Sequence, residues 1–116
     1  SLKDKFDGLA LRVPTPVVSL SDVTFLVEKK TNEKSINEAL KKASKATQYK
    51  GIIAVTEEPI VSIDLAGNPA STIVDLSLTK VVDGDLVKII AWYDNEWGYS
   101  CRLADTVEYV MKKKLL

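Results

Sequence analysis

Histidine is absent from this chain altogether. That removes the side chain most often used as a general base or a metal ligand, and with it any Ser-His-Asp or Cys-His arrangement. Cysteine occurs once, as Cys101, so no internal disulfide can form and only one thiolate is on offer. Glycine is sparse at five residues. Neither GxGxxG nor GxxxxGKS/T occurs, so neither of those phosphate-cradling loops is encoded. No apolar run approaches the ~20 residues of a membrane-spanning helix, and no signal-peptide pattern opens the sequence. Sixteen basic residues balance sixteen acidic ones, which argues against a nucleic acid or anionic membrane held by bulk charge. The remainder, 46% hydrophobic and 28% charged over 116 residues, is ordinary for one globular domain. A cytoplasmic protein is the default expectation.

Hydrophobic periodicity then lays out the elements. Asp7–Val13, DGLALRV, reads as a short strand stopped by Pro14 and Pro16. Val17–Glu28 reads as a second strand, with a change of apolar phase at Ser21-Asp22 that suggests a bend. Ser35-x-x-Glu38 matches a capping box, so a helix is expected to start near Ser35, with Ile36, Ala39, Leu40 and Ala43 as its apolar stripe. Gly51–Thr56 and Ile60–Leu65 read as two further short strands, and Ala66–Ala70 as a loop. Asp83-Gly84 joins Thr72–Val82 to Asp85–Tyr93 and has the chemistry of a two-residue type I′ hairpin turn. Leu86–Tyr93 is apolar on both faces apart from Lys88, so a central, doubly covered strand is expected. From Tyr99 onward Leu103, Val107, Val110 and Met111 give a helical stripe. About six strands and two helices make an α+β fold: a largely antiparallel or mixed sheet with two main helices packed on one face.

Few residues offer chemistry. Only Arg12 and Arg102 are arginines. Arg12, stiffened by two following prolines, either grips a phosphate or carboxylate or simply caps the sheet. Arg102, near a helix start where the macrodipole disfavours a cation, is expected to make a salt bridge, to Asp105 or across an interface. The densest aromatic cluster is AWYDNEWGYS, Ala91–Ser100. Its Asn95 either offers donor and acceptor to a planar ligand, or joins Asp94 in ending the strand and capping the next helix. Trp92, Tyr93 and Trp97 read as core or interface residues. Cys101 reads as a half-buried structural thiol, with no histidine to activate it. Glu57-Glu58 reads as a solvated turn, and the lysines of the first helix as a soluble face. No metal ligand set is present.

Three groups of residues carry a resemblance. LRVPTP followed by Ser19-x-x-Asp22, KGI followed by E-x-P-x-VS-x-D, and WYDNEWGYS followed by Arg102 resemble phosphorylating glyceraldehyde-3-phosphate dehydrogenase, in order and across essentially the whole chain. The region resembled is the C-terminal part of that enzyme's catalytic domain, the substrate-binding and oligomerisation domain, for residues 1–116. The Rossmann NAD-binding domain and the nucleophile region lie outside this chain on that reading. The resemblance implies Arg12 as a phosphate ligand, Asn95 as the partner of the nicotinamide carboxamide, and Tyr99 packed beside the nicotinamide. NAD or NADP would be bound mainly by the missing domain, which also makes the choice between them.

The parent reaction oxidises glyceraldehyde 3-phosphate with NAD(P) and inorganic phosphate to 1,3-bisphosphoglycerate, through a thioester, in glycolysis. The family's thiol sits in an S-C-T-T-N motif followed by a histidine base, and neither occurs here. No residue of this chain is therefore assigned a catalytic role, and the chain alone is expected to be inactive. Homotetrameric assembly is implied, with self-association through the sheet. Val17 and the SIDLAGNPAST stretch depart from the usual family pattern. Two alternatives remain: a stand-alone non-catalytic dimerisation domain, and a part of erythrose-4-phosphate dehydrogenase. That relative typically reads WCDNEWGFA, so Tyr93, Tyr99 and Ser100 favour the glyceraldehyde enzyme. Ser1-Leu2-Lys3 opens without methionine, and a piece of a longer enzyme is the expectation.

Overall fold

The computed structural model describes residues 3–114. Strands β1 (Ser19–Leu26), β2 (Ile53–Thr56), β3 (Thr72–Val82) and β4 (Leu86–Tyr93) form one sheet in the order β1-β4-β3-β2. Helix α1 (Glu33–Lys45) follows β1, a 3-10 turn (Ser62–Leu65) lies between β2 and β3, and helix α2 (Trp97–Lys113) follows β4. The pairings of β1 with β4 and β3 with β4 are antiparallel, and that of β2 with β3 is parallel. The fold is α+β with a mixed sheet.

The β3–β4 hairpin forms as its turn chemistry requires. Asp83 and Gly84 take φ of 48° and 75°, the left-handed pair of a type I′ turn. Lys30 fastens it, donating to the Asp83 carbonyl and pairing with Asp85 at 2.8 Å. Strand β4 is central, between β1 and β3, and covered on both faces along its interior. Val87 and Ile90, which alternate to opposite faces, are both buried, and only Leu86 at the strand's start is exposed, at 42%.

Several expectations are corrected. Asp7–Val13 is not a strand but exposed, irregular chain, because no neighbouring strand supplies the ladder its backbone needs. Ile60–Leu65 is not a strand either. Asp64 turns back to accept a hydrogen bond from the Val61 N–H at 2.9 Å and closes the 3-10 turn instead. Among the described residues four strands thus replace six. No bend interrupts β1 at Ser21-Asp22, since its register with β4 runs unbroken from Ser19 to Leu26. Its phase change is tolerated because Asp22 pairs with Lys88 at 2.8 Å on an exposed face. The irregularity sits in β3 instead, between Asp75 and Lys80. Helix α1 starts at Glu33, ahead of the Ser35 box. Its cap is Asn32, whose side chain accepts from the Ser35 N–H at 2.9 Å. Helix α2 starts at Trp97 rather than Tyr99.

One core gathers Val18, Leu65, Ala70 and Ile73, with Ala54, Ile60 and Trp92 packed against it. Helix α1 packs on β2 and β3, and its Asn37 donates to the Leu76 carbonyl at 2.9 Å. Helix α2 differs: Gly98 is its one buried residue, and Leu103, Val107 and Met111 remain exposed. Of the stripe legible in the sequence, only Val110 is half-buried.

Candidate functional site

Strand β4 ends at Tyr93, and the chain turns through Asp94-Asn95-Glu96 into α2. Asp94 makes that turn. Its Oδ1 accepts from the backbone N–H of Trp97 at 2.8 Å and of Glu96 at 3.1 Å, as a helix-capping carboxylate does. Its Oδ2 accepts from the Gly67 N–H at 2.8 Å. The donors hold its carboxyl below the ordinary aspartate value, Trp97 first, then Gly67, then Glu96, against the cost of burial. Of the two roles open to Asp94-Asn95, capping therefore falls to Asp94.

Asn95 is left for other work. Its Oδ1 accepts from the Ser19 hydroxyl at 3.3 Å, which ties it to the start of β1. Its Nδ2 has no partner among the described residues. Asn95 and Tyr99 line a cleft of about 310 Å³, together with Ser71, Tyr93, Gly98 and Arg102. Asn95 also borders a smaller hollow of about 60 Å³ against Pro16, Val17 and Val18. The larger volume is at the low end of small-molecule sites. Tyr99 is 64% exposed where it lines the cleft.

Arg12 stands apart. It lies in the exposed segment ahead of β1 and lines neither cleft. The structure thus brings Asn95 and Tyr99 together and does not join Arg12 to them. Arg102 does pair with Asp105, at 2.7 Å. It also donates to the carbonyls of Gly51 and Pro69 and to the Ser71 hydroxyl at 3.2–3.3 Å. That cross-chain role was not legible in composition, although the four-residue spacing of Asp94, Gly98 and Arg102 was a usable signal. Cys101 is half-buried. Trp92 packs on the core, while Trp97 is 52% exposed. Lys41 pairs with Glu57 at 2.8 Å. Among the described residues no group of three His, Cys, Asp or Glu side chains could hold a metal.

Fold and site together define an α+β domain with a ligand-sized cleft at the end of its central strand. Residues 1–95 match the family described as "Glyceraldehyde 3-phosphate dehydrogenase, C-terminal domain", and the chain belongs to that family. It is 54% identical over 112 residues to glyceraldehyde-3-phosphate dehydrogenase 2 of Trichormus variabilis, covering 97% of this chain and 33% of the relative. It is 50% identical over 113 residues to the chloroplastic A enzyme of Chlamydomonas reinhardtii, covering 97% and 30%. Against the Geobacillus stearothermophilus enzyme it is 46% identical over 114 residues, covering 98% and 34%. The chain spans about a third of the length of these relatives.

Proposed function

We propose that this chain is the C-terminal part of the catalytic domain of a phosphorylating glyceraldehyde-3-phosphate dehydrogenase. The parent reaction is oxidation of glyceraldehyde 3-phosphate with NAD(P) and inorganic phosphate, in glycolysis. The observation that carries the reading is Asn95. Its amide is braced on one side by Ser19 and unpartnered at Nδ2, at the edge of a cleft shared with the exposed Tyr99 ring. A carboxamide needs one donor and one acceptor in a fixed plane, and a braced asparagine amide supplies them. The residues present fit a nicotinamide. When bound, that group supplies hydride acceptance. Asn95 fixes the orientation of its carboxamide, and Tyr99 covers ring surface and keeps water from it.

Arg12 is the proposed phosphate ligand. It is exposed in this chain, and on this reading it works with residues outside the sequence. With no histidine, the chain alone is expected to reduce no NAD. Most of the cofactor, NAD or NADP, is held by the missing domain. Cytoplasmic location is part of the proposal, although relatives with chloroplastic names also match. Homotetrameric assembly belongs to it as well. Leu26, Leu86 and Val82 lie in one cross-strand row and are 74%, 42% and 59% exposed, an apolar surface that suits self-association.

The test is a full-length dehydrogenase in which this segment replaces the matching residues of the Trichormus relative. Asn95→Ala should raise KM for NAD roughly tenfold, about the 1.4 kcal/mol of a well-made hydrogen bond. Arg12→Ala should raise KM for phosphate and leave that for NAD unchanged. An unaltered KM for NAD in Asn95→Ala would sink the cofactor assignment.

A further inference from the structure

We propose that Asp94, Gly98 and Arg102 are positioning residues: they set the register of α2 against the 67–71 loop and thereby fix where Asn95 and Tyr99 meet the ligand. The inference rests on the reading of Asn95 and Tyr99 as the nicotinamide side of the cleft.

The three residues fall at i, i+4 and i+8, one face of a helix. The helical bonding already includes Asp94, whose carbonyl accepts from the Gly98 N–H at 3.0 Å. All three meet the same short loop. Asp94 takes the Gly67 N–H at 2.8 Å. At Gly98 the two backbones touch, since a Cβ there would lie 3.0 Å from the Ala70 carbonyl oxygen. Arg102 Nη1 holds the Pro69 carbonyl and the Ser71 hydroxyl, and it adds the Gly51 carbonyl beyond the loop. Asp105 steadies the other edge of the guanidinium through Nε at 2.9 Å and Nη2 at 2.7 Å.

Asn95 and Tyr99 are each one residue further on, again four apart. They occupy the neighbouring face, turned by about 100°. One face grips the loop and the adjacent face presents the ligand groups, so the grip sets their angle. Beyond Arg102 no α2 residue is buried among the described residues, and Asp105 joins the grip only through the Arg102 guanidinium. A displacement of the order of 1 Å at a reacting group costs about a hundredfold in rate.

The experiment uses the same full-length dehydrogenase. Asp94→Asn keeps an acceptor for Glu96 and Trp97 but turns an NH2 toward the Gly67 N–H. Asp94→Ser keeps the cap and is too short to reach Gly67. Each is expected to raise KM for NAD about fivefold, and to add less than about twofold on top of Asn95→Ala, because groups acting through one another are non-additive. An equal factor in both backgrounds, or no change in either, overturns the proposal.

Hydrogen exchange separates this result from the fate of the cofactor reading. Segment 66–71 should exchange faster in both Asp94 variants and unchanged in Asn95→Ala. If Asn95→Ala leaves NAD binding unaltered, the cofactor reading fails and the kinetic link to it fails as well. If Asn95→Ala does weaken NAD but exchange in 66–71 is unmoved by the Asp94 variants, the cofactor reading survives and the positioning stripe does not.

Discussion

Asp94 and Asn95 are neighbours with different work, and the difference is one of geometry rather than of residue type. Both are short polar side chains suited to caps. Asp94 faces three backbone N–H donors, whereas Asn95 meets one hydroxyl. Hydrogen bonds to the charged form lower the Asp94 pKa, those from Trp97 and Gly67 most. A depressed folded-state value contributes stability that is present above the unfolded aspartate value of about 3.9 and lost as pH falls through the folded one. Asp94→Ala should therefore cost about 1 kcal/mol at neutral pH, the usual worth of a cap. The gap from wild type should close on acidification below about pH 4. Urea titrations at neutral and acid pH measure it, and a gap that ignores pH would place the effect outside the carboxylate. Glu33 shifts in the same direction, through its own backbone N–H and then that of Val81.

Among the elements, the β3–β4 hairpin is the most local and the most legible. Asp83-Gly84 needs positive φ at both positions. Gly84→Ala should destabilise by about 1–2 kcal/mol, the cost of a side chain in the left-handed region. The added Cβ would meet Lys30 Cδ at 2.9 Å, but that is part of a flexible side chain and can move, so the backbone term decides. Thermal unfolding would register the loss, and an unchanged midpoint would mean the turn relaxes to another type. Gly98→Ala is a different case. Its Cβ meets a backbone carbonyl, which cannot step aside, so the first turn of α2 must shift. Faster hydrogen exchange across both 66–71 and 94–99 is the expected sign, and exchange confined to 94–99 would argue against a shared contact.

At the scale of the whole molecule, what is exposed is as informative as what is packed. The cross-strand row Leu26–Leu86–Val82 and the α2 stripe of Leu103, Val107 and Met111 lie open, although both have the pattern of buried surface. No helix among the described residues is long and apolar enough to cross a membrane. Self-association through the sheet row predicts a weight-average mass that rises with concentration in sedimentation equilibrium. Leu86→Glu should return it toward the monomer value without unfolding the chain. Association undiminished by that change would move the contact to α2 or elsewhere.

The sequence by itself determined the features whose causes lie within a few residues. These are the Asp83-Gly84 turn, the stripe of α1 with its start placed two residues late, and the family, carried by RVPTP and WYDNEWGYS. It also placed Asn95 and Tyr99 as candidates, although their roles came through resemblance. Tertiary structure alone decided whether an apolar run finds a partner. LALRV and IVSIDL have strand patterns, yet the first has no ladder to join and the second is drawn into a 3-10 turn by Asp64. It alone decided which carboxylate caps α2 and what Arg102 holds. Gly67, Pro69 and Ser71 lie 27 to 33 residues away from the side chains that hold them. Periodicity reports the face a segment offers, and only the folded chain settles what meets that face.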